Sequence, residues 1–181
     1  HKAIRRQRQM CIRDRLNGID LTTIKEKDAA SFRRDHLGFV FQDFNLLDTF
    51  SVKDNILLPL VLSKVPVKQM DQRLQPLVRT LGITDLLQHY PYELSGGQKQ
   101  RVAVARAIIT KPDLLLADEP TGALDSKTSD QLLTLFQQIN QNGQTIIMVT
   151  HSSIAASRAQ RVLFINCLLY TSPSPRDTER S

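Results

Sequence analysis

Four apolar residues, Leu114-Leu-Leu-Ala117, run without a break into two adjacent carboxylates, Asp118 and Glu119, and then into Pro120. A run that short, with no polar alternation, fits a strand buried on both faces rather than a helix. Strands of that kind belong to parallel sheets covered by helices. Leu37-Gly-Phe-Val-Phe41, Thr145-Ile-Ile-Met-Val-Thr150 and Val162-Leu-Phe-Ile165 read as further strands, with 145–150 buried like the first. Helical patterns separate them. Lys25 to His36 is polar throughout. Ser51 is an N-cap for a helix to Leu62 with Asp54 in its first turn, and Pro66-Val67 opens one that Gly82 stops. A shorter helix, Thr84 to His89, is halted by Pro91. Ser95 to Thr110 is rich in small and branched apolar residues, so burial on most sides is expected. Asp125 to Asn140 is amphipathic and ends before Gly143, and Ile154 to Arg158 is a short last helix. Asn17-Gly18 marks a turn leaving a strand within Leu16 to Asp20. The fold class expected is α/β, a parallel sheet core with a mainly helical subdomain inserted over about 44–92.

The chain has 181 residues and a formal charge of +6, which by itself invites a nucleic-acid or membrane-surface partner. The charge is misplaced for that. Lys2, Arg5, Arg6, Arg8, Arg13 and Arg15 against the single Asp14 carry +5 of it within residues 1–15, and residues 167–181 balance. Both stretches resemble translated library adapter from short-read sequencing, Arg5 to Asp14 at one end and Cys167 to Asp177 at the other. Residues 1–15 and 167–181 are therefore expected to stand outside the fold, leaving 16–166 as a partial domain of nearly neutral charge. No nucleic-acid partner is expected. Cys11 and Cys167 both lie in the excluded ends, so disulfide, thiol and cysteine-metal chemistry drop out. The longest uninterrupted apolar stretch, Ile56 to Leu62, contains Pro59 and is far short of the ~18 residues of a membrane span.

The chemistry-bearing residues sit at element ends. Carboxylates at the carboxyl edge of a buried parallel strand lie where such sheets bind ligands. Asp118 there can hold Mg²⁺, and Glu119 can orient and polarise a water. His151 ends the following strand, and Gln42 follows Phe41 at the end of another. Leu94-Ser-Gly-Gly-Gln98 opens a helix. Its backbone N–H groups and dipole face whatever lies beyond Ser95, and Gly96 and Gly97 allow a phosphate to come close. Ala123-Leu-Asp125 follows a Thr-Gly turn.

In order, Phe41-Gln42, Leu94-Ser-Gly-Gly-Gln98, Leu114 to Pro120, Ala123-Leu-Asp125 and Thr150-His151 resemble the ABC ATPase family from its Q-loop to its switch histidine. The resemblance covers nearly all of 16–166. It implies ATP and Mg²⁺ as cofactors, with Gln42 as the Q-loop residue near Mg²⁺ and the γ-phosphate. Asp118 is then the Walker B aspartate, Glu119 the catalytic glutamate, and His151 the switch histidine. Ser95, Gly96, Gly97 and Gln98 become the signature that meets nucleotide held by a second subunit, and Asp125 the D-loop residue at that interface. One departure is large: the family's G-x-x-x-x-G-K-[ST] phosphate loop is missing, as is the aromatic residue that stacks adenine. Loss of coding sequence before Leu16 accounts for this, and the 181-residue chain alone is expected to bind ATP weakly and to fold poorly.

Phe41 to Leu60, with Pro120 to Asp125 and Thr150 to Ser157, looks like the ATPases of bacitracin-type peptide-antibiotic resistance exporters. Lipoprotein-releasing and macrolide-export ATPases share much of the pattern. The resemblance implies a homodimer docked on a membrane permease at the inner, cytoplasmic face of the cell membrane, with Phe44 to Leu60 forming much of the permease-facing groove. DNA-repair and chromosome-structure ATPases separate Q-loop and signature by a long coiled coil. Gln42 and Leu94 are only 52 positions apart, interrupted by Pro59, Pro66, Pro76 and Pro91.

Overall fold

The computed structural model describes residues 15–164. Arg15–Leu16 (β1) and Ile19–Asp20 (β2) pair as a small antiparallel hairpin. Its turn residues Asn17 and Gly18 both have positive φ, +48° and +83°, the hand that matches strand twist in two-residue hairpins. Helix α1 (Glu26–His36) leads directly into strand β3 (Leu37–Phe41). Helices α2 (Val52–Leu62) and α3 (Val67–Leu81) follow, then α4 (Gly96–Ile108), strand β4 (Leu114–Asp118), helix α5 (Ser126–Gln141), strand β5 (Thr145–Val149) and the short α6 (Ser153–Ser157).

The caps follow the expected signals. The Ser51 hydroxyl accepts from the Asp54 amide at the start of α2, and Gly82 takes a left-handed conformation, φ +63°, at the end of α3. Residues 84–89 do not make the expected helix: only a 3-10 turn over Thr84–Leu86 forms, and a second covers Pro91–Glu93. With Gly82 behind it and Pro91 ahead, that segment is too short to repay helix nucleation.

Strands β3, β4 and β5 form one parallel sheet in that order. The register stacks Gly38, Leu115 and Ile146 in one row and Val40, Ala117 and Met148 in the next. This face carries the core. Val40, Leu115 and Ala117 are buried, and Ile146 and Met148 pack against the same cluster. Helix α4 crosses β3 and also packs against α2, α3 and α5. A β-carbon on Gly38 would stand 2.5 Å from the Ala107 carbonyl oxygen and 2.9 Å from Leu115 Cδ1, so glycine is what lets α4 lie so close to the strand. Val102, Ala103, Val104 and Ala105 of α4 are fully buried, which bears out the composition-based expectation. Burying each valine contributes about 1.5–3 kcal/mol relative to leaving it in water.

The opposite face differs from expectation. Leu37, Leu114 and Thr145 share a row, as do Phe39, Leu116 and Ile147, and Phe41, Asp118 and Val149. The hairpin and α1 reach only its amino end, where Arg15, Leu16, Leu21, Phe32, Leu37, Leu114 and Leu116 line a cavity of about 490 Å³. Ile147 is 51% exposed and Val149 59%. Strand β5 is therefore not buried on both sides: among the described residues nothing covers its second face or pairs its outer edge. The last expected strand is also corrected. Val162, Leu163 and Phe164 form no strand, and Phe164 is 89% exposed, while Ile165 lies outside the described residues. No helix among the described residues is long and apolar enough to cross a membrane.

Candidate functional site

Parallel pairing brings three strand ends to one edge. Phe41, Asp118 and Val149 are in register, so Gln42, Glu119 and Thr150-His151 leave the sheet side by side. Asp118, the last residue of β4, is exposed, and its carboxylate takes part in no hydrogen bond among the described residues. Glu119 turns sharply, with φ +43°. A non-glycine residue held there costs about 1–3 kcal/mol unless its surroundings enforce it. They do: its N–H donates to the Val149 carbonyl at 2.9 Å. Its carboxylate accepts from the His151 amide at 2.6 Å and from the Thr150 hydroxyl at 3.0 Å. The strained turn and the carboxylate are thus both fastened to the end of β5. The His151 imidazole is fully exposed, with Nε2 3.9 Å from Glu119 Oε1. Thr150, which links the two, stands in the Thr150-His151 motif of the sequence but is given no role there; a hydroxyl directly before the strand-ending histidine is the signal for it.

A second group forms around the start of α4. Ser95 caps the helix: its hydroxyl accepts from the Gln98 amide, and its own N–H donates to Gln98 Oε1 at 2.8 Å. The Gln98 carboxamide is therefore engaged within the turn. The two glycines serve packing in their own chain. A β-carbon on Gly96 would meet Leu124 Cδ2 at 3.3 Å, and one on Gly97 would collide with Thr128 Cγ2. The signature turn thus lies against the segment carrying Asp125, while its backbone donors stay at the helix end.

Asp125 caps α5, with Oδ1 accepting from the Thr128 amide at 3.0 Å and Oδ2 from the Thr128 hydroxyl at 2.6 Å. The hydroxyl first, then the amide, hold its carboxyl below its ordinary value of 3.8. A depressed folded-state pKa means stability that is present above the unfolded value and lost as pH falls through the folded one. Melting temperatures of Asp125→Asn should consequently fall less than those of the unsubstituted chain between about pH 6 and about pH 3, because asparagine caps without titrating. Equal falls would remove Asp125 from the acid response.

No hydrogen bond among the described residues joins Ser95 or Gln98 to Asp118 or Glu119. The Gln42 side chain lies against Gly122: a β-carbon there would stand 3.0 Å from Gln42 Cδ. The profile of the ABC transporter family matches residues 4–122, more than half of the chain. The chain belongs to the ABC transporter family. It is 51% identical over 152 residues to the bacitracin export ATP-binding protein BceA of Halalkalibacterium halodurans, covering 83% of this chain and 60% of that protein. It is 51% identical over 166 residues to the ABC transporter ATP-binding protein YvcR of Bacillus subtilis, covering 91% and 64%. The dimeric ATP-binding cassette MJ0796, solved in a post-hydrolysis state with ADP and Pi, superimposes with a TM-score of 0.67 at 35% identity, over 78% of this chain and 63% of that one. These relatives and the cassette structure bear out the expected α/β ABC fold, whose family is an ATPase family that binds nucleotide. The chain spans about 60% of the length of these relatives.

Proposed function

We propose that the protein containing these residues is the ATP-hydrolysing subunit of a membrane transporter that exports peptide antibiotics of the bacitracin type. The observation that carries this reading is the row of strand ends bearing Gln42, Asp118-Glu119 and Thr150-His151, with the Glu119 carboxylate fixed by two donors. Glu119 would orient and polarise the attacking water, and His151 would sit near the γ-phosphate. Asp118 offers a carboxylate that no hydrogen bond among the described residues engages and Gln42 a neutral oxygen, a donor set that suits Mg²⁺ with phosphate and water completing its shell. Mg²⁺ would neutralise charge building on the transferred phosphoryl group. Ser95, Gly96, Gly97, Gln98 and Asp125 would meet the nucleotide of a second subunit in a homodimer.

The phosphate loop would come from a strand and helix preceding Leu16. The exposed apolar side chains of the sheet at Phe41, Ile147 and Val149, together with the edge of β5 that no described strand pairs, support that placement. Export of peptide antibiotics rests on the similarity to a bacitracin exporter. A macrolide export ATP-binding/permease protein MacB, of Vibrio parahaemolyticus, is 43% identical over 150 residues and supports macrolide export as a second reading. Docking on a permease at the cytoplasmic membrane face follows from the same reading.

The loop 44–50 before α2 would contact the permease. Leu47 in it is 43% exposed, whereas Leu46 packs on the core, so Leu47 is the cleaner probe of docking. In the full-length protein, Leu47→Ala should keep ATPase activity within about twofold while lowering bacitracin resistance in cells that also express the permease. Leu46→Ala should lower both, through stability. Unchanged resistance in Leu47→Ala would exclude this loop as the permease contact.

A further inference from the structure

Helix α4 grips the Gln42 loop at both of its ends. Gln100, fully buried, donates from Nε2 to the Pro120 carbonyl at 2.8 Å and to the Phe41 carbonyl at 3.4 Å. Phe41 immediately precedes Gln42, and Pro120 immediately follows Glu119. Both partners are acceptors, so the amide orientation is fixed, and Gln100 Oε1 is left without a hydrogen-bond partner. Farther along the helix, Arg106 donates from Nη1 to the Asn45 carbonyl at 2.5 Å and from Nη2 to the Phe44 carbonyl at 2.9 Å. Phe44 and Asn45 both have left-handed backbones, φ +61° and +49°, which side chains other than glycine resist. The Arg106 guanidinium is largely withdrawn from water, which lowers its pKa, and the two carbonyls replace solvent as its partners.

We propose that Gln100 and Arg106 are positioning residues for Gln42: they lock the loop from Phe41 to Asn45 onto the signature helix, and because Gln100 also holds the Pro120 carbonyl, they fix where Gln42 stands relative to Glu119. This rests on the reading of Gln42 and Glu119 as parts of an ATP site. The chemistry of each position is restrictive. Glutamine spans two carbonyls with one NH₂ group; methionine keeps its length without a donor, and glutamate would turn an anion toward both oxygens. Lysine at 106 keeps the charge but loses the planar fork that reaches two carbonyls at once.

The test uses the full-length protein and its Gln100→Met and Arg106→Lys variants, with kcat counted per folded molecule, KM for ATP, and hydrogen exchange at the Phe44 and Asn45 amides. The expected result is a fall in kcat of about tenfold or more in each variant with KM within about twofold, since small displacements at a reacting centre are expensive. Exchange at the two amides should accelerate without a matching change in the amides of β4. Unchanged kcat and unchanged exchange in both variants would overturn the proposal, and so would a loss confined to melting temperature. Should the unsubstituted protein hydrolyse no ATP, the site reading fails; the exchange result alone then decides whether the clamp exists. If a variant does not fold, the unsubstituted protein still answers. The Phe44 and Asn45 amides must then open together with those of α4, and faster, independent opening overturns the clamp.

Discussion

Replacing Glu119 by glutamine in the full-length protein is expected to lower kcat for ATP hydrolysis by about 10²–10⁴-fold, the range for removing a positioned general base. ATP binding should survive. The carboxamide oxygen can still accept from the His151 amide, while the NH₂ group that replaces Oε2 can donate to the Thr150 hydroxyl oxygen, so the turn at φ +43° keeps much of what holds it. Glutamine lacks the negative charge that polarises water toward the γ-phosphate. Steady-state hydrolysis and ATP binding, measured on the same preparation, separate the two effects. A fall in kcat of less than tenfold would place the base elsewhere.

The second large effect concerns stability, and its size depends on how much of the sheet is covered. Ile147 and Val149 stand half exposed on the open face of β5, in rows with Leu116, Phe39 and Phe41. In the 181-residue chain, truncating Ile147 to alanine removes apolar surface that water already reaches, so unfolding free energy should change by no more than about 0.5 kcal/mol. In the full-length protein the same side chain would be enclosed by the preceding strand and helix. Ile147→Ala should there cost about 2–5 kcal/mol, the range for large-to-small core substitutions. Urea unfolding of the four proteins gives both differences directly. Equal costs in the two backgrounds would mean that nothing covers this face, and would remove the structural argument for a preceding βα unit. The same exposed rows should make the short chain bind apolar dyes and aggregate.

Much of the scaffold was legible in the sequence because its signals are local. Ser51, Ser95 and Asp125 each announced a helix start, Gly82 a stop and Asn17-Gly18 a turn, and each does so through its own backbone or side-chain oxygen geometry. The apolar runs at 37–41 and 114–117 mark the strands, and the strand ends mark the row of polar residues. Periodicity failed where tertiary partners decide. Thr145 to Val149 reads as buried on both faces because its residues suit that state, but burial requires a neighbour, and none is present on one side among the described residues. Val162 to Phe164 has strand composition but pairs with no strand among the described residues. The residues at 84–89 have helical composition but stop after one 3-10 turn.

Long-range polar contacts were less accessible still. Asn55 is fully buried; it accepts from the Leu47 amide and donates to the carbonyls of Leu47, Phe50 and Ser51, organising the whole loop before α2. Nothing in its sequence neighbourhood distinguishes it from a surface asparagine. Gln100 and Arg106 reach 59 and 61 positions back along the chain, distances at which spacing carries no information. The glycines of the signature were readable as permitting close approach. That part of this approach is to Leu124 and Thr128 of the same chain required the fold.

The central claim is that these residues form the signature and Walker B half of an ATP site whose phosphate loop lies in a preceding segment. Equilibrium titration of ATP and Mg²⁺ against the 181-residue chain and against the full-length protein tests it most directly. The account predicts saturable micromolar binding to the full-length protein and none in that range to the shorter chain. Micromolar binding of equal strength by both would contradict it.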